Sequence, residues 1–116
     1  MLARSKSAFL FLFASFLFLQ FGTAHAATVV ALGASNTAGK GVSSSEAYPA
    51  QLEAMLRARG LDATVINAGI SGDTTGGMMA RLDSAVPKGT KVVILQPGGN
   101  DMRRGRPDYT AQIRSR

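Results

Sequence analysis

The stretch Lys91-Val-Val-Ile-Leu-Gln96, followed at once by Pro97-Gly-Gly-Asn-Asp101, decides the fold class of this 116-residue chain. Its four consecutive apolar residues, three of them β-branched, predict a strand that is apolar on both faces. A strand of this kind needs helices above and below it, and the proline with two glycines ends it abruptly. The stretch therefore predicts a parallel sheet with a helical layer on each side.

Two further strands and an amphipathic helix precede this stretch. Thr28-Val-Val-Ala-Leu-Gly33 and residues 63–67 are short β-branched runs that lead into loops. Between them, apolar residues recur at helical spacing and predict a helix of about four turns. Its N-cap is expected among Ser43–Ser45, and Gly60 closes its last turn.

The order of the segments predicts the topology. After a loop at 68–73, Met78, Met79 and Leu82 mark a shorter and weaker helix. The alternation of strand, helix, strand, helix and strand predicts right-handed crossovers, and hence an α/β fold with helices on both faces of the sheet. Residues 108–114 are expected to begin a third helix.

Residues 1–26 have the features of a secretory signal peptide. Two cations form a basic start, residues 8–21 form an apolar run of 14, and Ala24-His25-Ala26 supplies a cleavage site. An uncleaved membrane anchor is the alternative, but a spanning helix needs about 20 apolar residues. We expect cleavage after Ala26 and export of residues 27–116 to the periplasm or the medium, with no membrane span left in the mature chain.

Composition excludes several classes of function. The chain has no cysteine, which rules out disulfides, a cysteine nucleophile and a thiolate-bound metal. Its formal charge is +6; residues 27–116 keep +4, and all of that lies in residues 103–116. Nucleic-acid binding needs basic side chains spread over a folded surface, so a basic tail beside a neutral body does not predict it.

Each predicted strand runs into a loop rich in small and polar residues. Because the carboxyl ends of parallel strands meet at one edge of the sheet, we expect the three loops to converge there. Ser35 follows the first strand and is the candidate nucleophile, since a rigid strand supports its hydroxyl. Gly72 in the second loop and Asn100 in the third are candidate donors for an oxyanion, together with the N–H of Ser35.

Each of these residues also has a structural explanation. A serine after a strand and a glycine often only form a turn, and Asp73 is expected to cap the second helix rather than to act as an acid. Asp101 is expected to order its loop, and Met78 and Met79 to pack in the core. The occurrence of three suitable loops in order favours the catalytic interpretation.

The three loops resemble the first three motif blocks of the SGNH hydrolases, also called GDSL lipases and esterases. The first motif, usually Gly-Asp-Ser-Leu, stands here as Gly33-Ala34-Ser35-Asn36, so its Asp and Leu are replaced while the serine is kept. The stretch Asn67-Ala-Gly-Ile-Ser-Gly-Asp-Thr74 resembles the second motif of the family, and Gly98-Gly-Asn-Asp101 resembles the third motif. The resemblance extends from Val29 to about Met102.

The resemblance implies a flavodoxin-like α/β/α sandwich and a serine hydrolase that acts on small-molecule carboxylic esters without metal or organic cofactor. It implies that Ser35 forms an acyl-enzyme, and that the Ser35 N–H, the Gly72 N–H and the Asn100 amide bind the oxyanion. Similar bacterial proteins act as arylesterases, thioesterases or lysophospholipases. Small or aryl esters are expected here rather than long lipids.

The departure from the family concerns its fourth motif, Asp-x-x-His, which supplies the general base. Residues 27–116 contain no histidine, because the single one, His25, lies in the leader. The chain therefore resembles the N-terminal portion of such a domain, truncated after the third strand, and is expected to be nearly inert by itself. A non-catalytic fragment and an anion-binding α/β module are the alternatives, although no Gly-x-x-x-x-Gly-Lys-Ser/Thr phosphate loop occurs.

Overall fold

The computed structural model describes residues 26–105, which form a sheet and five helical segments. In chain order the elements are β1 (Ala27–Gly33), α1 (Ser35–Ala38), α2 (Tyr48–Ala58), β2 (Ala63–Gly69), α3 (Thr75–Ala80), α4 (Leu82–Ala85), β3 (Val92–Leu95) and α5 (Gly99–Arg103). The third helix expected at 108–114 and residues 1–25 of the expected leader lie outside the described part of the chain. None of the helices within residues 26–105 is long and apolar enough to cross a membrane.

The three strands form one parallel sheet in the order β2-β1-β3. Ala31 in the central strand lies opposite Asn67 of β2 and Ile94 of β3. Because β2 lies on one side of β1 and β3 on the other, the strand order reverses between β1 and β3. The parallel α/β fold predicted from the sequence is confirmed.

Alternate residues of β1 pack against helices on opposite faces of the sheet. Val29 and Ala31 form one buried cluster with Val65, against which Tyr48, Leu52 and Leu56 of α2 pack. Val30 and Leu32 form the other with Met78 of α3, and residues of α4 close it. Val30 and Leu32 are 0% and 1% exposed, and burial of each such side chain stabilises the fold by about 1.5–3 kcal/mol. The result is a three-layer sandwich centred on β1.

The helix α2 begins later than the serines at 43–45 suggested. Its N-cap is Ala47, which makes no side-chain cap, and Pro49 lies in the first turn, where a missing N–H costs nothing. Ser43 is used in the preceding turn instead: its N–H and its hydroxyl both donate to the Glu46 carboxylate, at 2.9 and 2.7 Å. These two bonds stabilise the charged form of Glu46 and lower its pKa.

The structure differs from the sequence prediction in three other elements. The strand β2 continues through Ala68 and Gly69, which pair with Leu32 and Gly33 of β1. The second predicted helix is two short helices, α3 and α4, that meet at Arg81. The helices α1 and α5 were expected to be loops, since segments of four or five residues are too short to show a helical period.

The N-cap of α3 is Thr74 and not Asp73, so that expectation was wrong by one residue. The Thr74 hydroxyl oxygen accepts a hydrogen bond from the Gly77 N–H at 3.1 Å, which is the usual N-cap geometry. Met78 is 2% exposed and lies in the core, as expected, while Met79 is half-buried.

The strand β3 is an edge of the described sheet, and its apolar side chains are exposed. Val92, Val93 and Leu95 are 52%, 43% and 42% exposed, and no strand within residues 26–105 pairs with the outer side of β3. Unpaired N–H and C=O groups beside exposed apolar side chains form a template on which another strand can pair.

We expect this edge to cause self-association of the chain from Ala27 onward. Val93→Lys places a charge on the edge and should shift the protein towards monomer, because a lysine on an edge strand opposes strand addition. Val42→Lys is the matched control, since Val42 is 52% exposed but lies in a loop away from the sheet. Sedimentation velocity measures the distribution; equal association of both variants would contradict the edge as its cause.

Candidate active site

A cavity of about 250 Å³ opens where β1 and β3 end. Its lining comes from the segment after β1 and the segment after β3, and comprises Ala34, Ser35, Asn36, Gln96, Pro97, Gly99, Asn100 and Arg103. This is the point at which the strand order reverses, where open α/β sheets bind ligands. The structure therefore brings Ser35 and Asn100, 65 positions apart in the sequence, to one cavity.

Ser35 is placed by the end of the central strand. It is the first residue of α1, so its backbone N–H has no acceptor within that helix. The side chain is half-buried, and its hydroxyl makes no hydrogen bond within residues 26–105. The turn requires a glycine at position 33, since a Cβ there would overlap the Thr37 hydroxyl. Considering residues 26–105, the hydroxyl and the N–H of Ser35 are thus both unpaired and follow directly on a rigid strand.

Thr37 ties the two walls of the cavity together. It is completely buried in α1, and its hydroxyl donates to Gln96 Oε1 at 3.1 Å. The Gln96 N–H in turn donates to the Leu32 carbonyl at 2.9 Å, which continues the pairing of β3 with β1. The Tyr48 hydroxyl lies 3.5 Å from Thr37 Oγ1 and extends this contact to α2.

Asn100 joins the third loop to the second. Its Nδ2 donates to the Asp73 carbonyl at 2.7 Å, while the residue also lines the cavity. A carboxamide nitrogen carries two hydrogens, so one N–H remains for a ligand. The bond to Asp73 fixes the orientation of the amide, which an oxyanion donor needs.

Gly72 is not among the residues that line the cavity. It adopts the left-handed conformation, with φ of +83°, and its carbonyl accepts a hydrogen bond from Arg104 Nη2 at 3.2 Å. Its N–H makes no hydrogen bond in the described part of the chain. The residue is held close to Asn100 through Asp73, the next residue in the chain. The structure thus brings Ser35 and Asn100 together directly and Gly72 only by way of Asp73.

Arg81 fastens the carboxyl ends of two strands to this loop. Its Nη2 donates to the carbonyls of Gly33 and Ala68, at 3.1 and 2.9 Å, and its Nε lies 2.8 Å from Asp73 Oδ2. Only 19% of the arginine side chain and 13% of the aspartate side chain are exposed, so water screens this ion pair little. Arg81 therefore holds the ends of β1 and β2 and the Asp73 carboxylate in one arrangement.

The two acids of the site loops are both engaged in structure. Asp73 is paired with Arg81, and its other oxygen accepts the Thr74 N–H at 2.9 Å. Asp101 is 2% exposed and accepts the N–H and the hydroxyl of Thr75, both at 2.9 Å, which fixes the start of α3 against α5. Neither acid lines the cavity, and the expectation that Asp101 orders its loop is confirmed.

Sequence reasoning missed four residues of this arrangement: Thr37, Arg81, Gln96 and Arg103. Thr37 and Arg81 act through contacts with partners that are distant in sequence. Motif spacing and local sequence patterns do not predict such contacts. Gln96 and Arg103 flank the third motif, but the motif itself does not include them. Gln96 lies directly after the end of β3 and Arg103 lies in the last turn of α5, which places both in the cavity wall.

Within residues 26–105 the cavity brings together the Ser35 hydroxyl and the Asn100 amide, but no side chain that could act as a base. Residues 26–105 contain no histidine, and neither acid of the loops faces the serine's cavity. A serine hydroxyl is a weak nucleophile until a neighbouring base accepts its proton. The arrangement suits the binding of a tetrahedral oxyanion, and it needs a proton acceptor from other polypeptide.

Comparisons with known proteins agree with this geometry. Residues 31–115 match the GDSL-like lipase/acylhydrolase family, so the chain belongs to that family. The esterase TesA of Pseudomonas aeruginosa is 39% identical over 83 residues, which is 71% of this chain and 41% of the relative. An arylesterase of Vibrio mimicus is 40% identical over 80 residues, covering 68% of this chain and 40% of the relative.

A solved structure of an SGNH-hydrolase family esterase is also similar to this chain. The crystal structure of AlinE4, an SGNH-hydrolase family esterase, has a TM-score of 0.68 to this chain with 38% sequence identity. The alignment covers 76% of this chain and 48% of AlinE4. The chain thus spans between two fifths and one half of the length of the proteins that it matches.

We expect Arg81→Ala to lower the free energy of unfolding by about 2–4 kcal/mol, because it leaves two carbonyls and a half-buried carboxylate without their partner. Arg59→Ala is the control: Arg59 is exposed and makes no ion pair or side-chain hydrogen bond within residues 26–105, so the loss should be below about 1 kcal/mol. Urea unfolding followed by circular dichroism measures both. Equal losses would show that Arg81 does not hold the loops together.

Proposed function

We propose that this chain supplies the nucleophile and the oxyanion-binding groups of a serine ester hydrolase. The observation that carries the proposal is the shared cavity of Ser35 and Asn100 at the point where the strand order reverses. The membership of the GDSL-like lipase/acylhydrolase family supports it. The reaction class is hydrolysis of carboxylic esters by way of an acyl-serine.

Ser35 Oγ attacks the carbonyl carbon of the ester while a base accepts its proton. The carbonyl oxygen becomes an oxyanion, to which the Ser35 N–H, the Gly72 N–H and the second N–H of Asn100 Nδ2 donate. A single donor of this kind is worth about 3 kcal/mol in the transition state. The alcohol then leaves with a proton, and water cleaves the acyl-serine to release the acid and restore the serine.

The base of this reaction must come from polypeptide other than residues 27–116, which have no histidine. In a serine protease, loss of the histidine lowers kcat by about a millionfold. We therefore propose that these residues alone bind an ester but hardly turn it over. Because the relatives are more than twice as long as the matched segment, their remaining part is a suitable source of the base.

The proposed substrates are small or aryl esters rather than long-chain lipids. The cavity of about 250 Å³ is below the range of about 300–1,000 Å³ that is typical of drug-sized ligands. Its lining offers amide and guanidinium groups rather than a continuous apolar wall. The matched relative from Vibrio mimicus is named an arylesterase, which supports aryl esters as substrates.

The proposed role of Ser35 is tested in a hybrid enzyme that joins residues 27–105 to the C-terminal part of esterase TesA beyond the matched region. We expect hydrolysis of p-nitrophenyl acetate by the hybrid and only the background rate from residues 27–116 alone. In the hybrid, Ser35→Ala should abolish the reaction, because no other group can form the acyl-enzyme. Unchanged turnover in that variant would remove Ser35 from the mechanism.

For the oxyanion donor, Asn100→Ala in the hybrid should lower kcat by about 100- to 1,000-fold. Asn67→Ala is the matched control, since Asn67 belongs to the second motif but is exposed and bonds only the nearby Gly69 N–H. Steady-state kinetics on p-nitrophenyl acetate separates the two. Comparable losses in both variants would mean that Asn100 acts through the fold and not on the reacting oxygen.

We also propose that the protein is exported and that its leader is removed after Ala26. In the structure Ala27 is already the first residue of β1, and its N–H donates to the Asp62 carbonyl at 2.7 Å. The intact mass of protein recovered from the periplasm should therefore correspond to a chain that begins at Ala27. A mass that retains residues 1–26 would favour an uncleaved anchor instead.

A further inference from the structure

The wall of the cavity carries one charged side chain, and it is a cation. Arg103 lines the cavity from the last turn of α5, and the other lining residues are neutral. Among residues 26–105, Arg103 takes part in no ion pair. Its charge is therefore available to whatever occupies the cavity.

The acids close to this wall do not neutralise Arg103. Asp73 is paired with Arg81 at 2.8 Å, and Asp101 is a buried residue of α5 whose carboxylate accepts two hydrogen bonds from Thr75. A further cation, Arg104, follows Arg103 and bonds the Gly72 carbonyl at 3.2 Å. The rim of the cavity on the side of α5 is thus cationic.

The residues that flank the nucleophile make the cavity more favourable to an anion. The family takes its name from Gly-Asp-Ser-Leu, whereas this chain has Ala34 before the serine and Asn36 after it, and both line the cavity. Ala34, whose side chain packs against the buried cluster of Val30, Leu32 and Met78, leaves the position before the serine without the carboxylate of the family motif. Asparagine in place of leucine replaces an apolar contact by an amide that donates hydrogen bonds.

We propose that the ester hydrolysed at this site carries an anionic group, a carboxylate or a phosphate, and that Arg103 binds it. This inference rests on the proposed function, of which it names the substrate class. A guanidinium matches the planar geometry of a carboxylate with two parallel N–H donors, and it binds phosphate in the same way. Arg103 is then a specificity residue.

Binding to residues 27–116 tests this without any catalysis. The probes are 4-acetamidobenzoate and its neutral counterpart 4-acetamidobenzamide, amides that imitate an aryl acetate and resist hydrolysis, together with 4-acetamidophenyl phosphate. Amide resonances of Asn100 and Arg103 report the titration by NMR. We expect the two anions to bind about fivefold more tightly than the neutral probe, a preference typical of an exposed charge pair.

Substitutions assign the preference to Arg103. Arg103→Gln should remove it for both anions, whereas Arg59→Gln, which changes the net charge equally at the C-cap of α2, should leave it intact. If only the phosphate is preferred, the substrate group is a phosphate ester; if only the benzoate, a carboxylate. Equal binding of all three probes, no saturable binding, or the same loss in Arg59→Gln overturns the proposal.

Hydrolysis by the hybrid enzyme separates this inference from the proposed function. The readout is the ratio of kcat/KM for 4-acetoxybenzoate to that for 4-acetoxybenzamide, which cancels changes common to both esters. We expect a ratio of about five that falls to about one in Arg103→Gln and diminishes at high salt. A hybrid that hydrolyses both esters with a ratio of one keeps the proposed function and refutes the anion site. A hybrid that hydrolyses neither refutes the proposed function, while the binding titration still decides the anion site.

Discussion

The guanidinium of Arg81 is the contact on which the arrangement of the site depends. It reaches the carbonyls at the ends of two neighbouring strands and the carboxylate of the loop that follows the second strand. Strand ends and loops have few apolar contacts of their own, so hydrogen bonds must position them. The Asp73 carbonyl in turn accepts a hydrogen bond from the Asn100 amide and so positions it. An arginine outside the recognised motifs thus connects all three of them.

The precision of the serine's position comes from the strand beneath it. β1 is the central strand, and the helices α2 on one face and α3 on the other bury its alternate residues. A strand packed on both faces and paired on both edges has little freedom to move. The short helix α1 starts directly at its end, and the buried Thr37 then fixes α1 to the end of β3. Ser35, the proposed nucleophile, is therefore positioned by β1, by the packing on both faces of that strand and by the contact of α1 with the end of β3.

The sequence predicted the parts of this structure that depend on local patterns. The runs of β-branched residues placed all three strands, and the residues that follow them placed Ser35 and Asn100 at one edge. The N-cap of α2 was missed because Ser43 forms its strongest bonds with Glu46 in the turn before the helix. Arg81 was missed because its partners are 8, 13 and 48 positions away, and no local pattern encodes such distances. Contacts between distant segments, rather than element types, mark the limit of the sequence-based prediction.

The hydrogen bond from Asn100 to the Asp73 carbonyl has an entropic consequence. The carboxamide of an unrestrained side chain rotates freely, and it loses this conformational entropy each time it binds a ligand. Here the hydrogen bond to Asp73 already restrains the amide in the folded chain, and one of its two N–H groups is left for a ligand in the cavity. Binding of a negatively charged oxygen then costs little additional side-chain entropy, because the Asn100 amide was already immobilised when the chain folded.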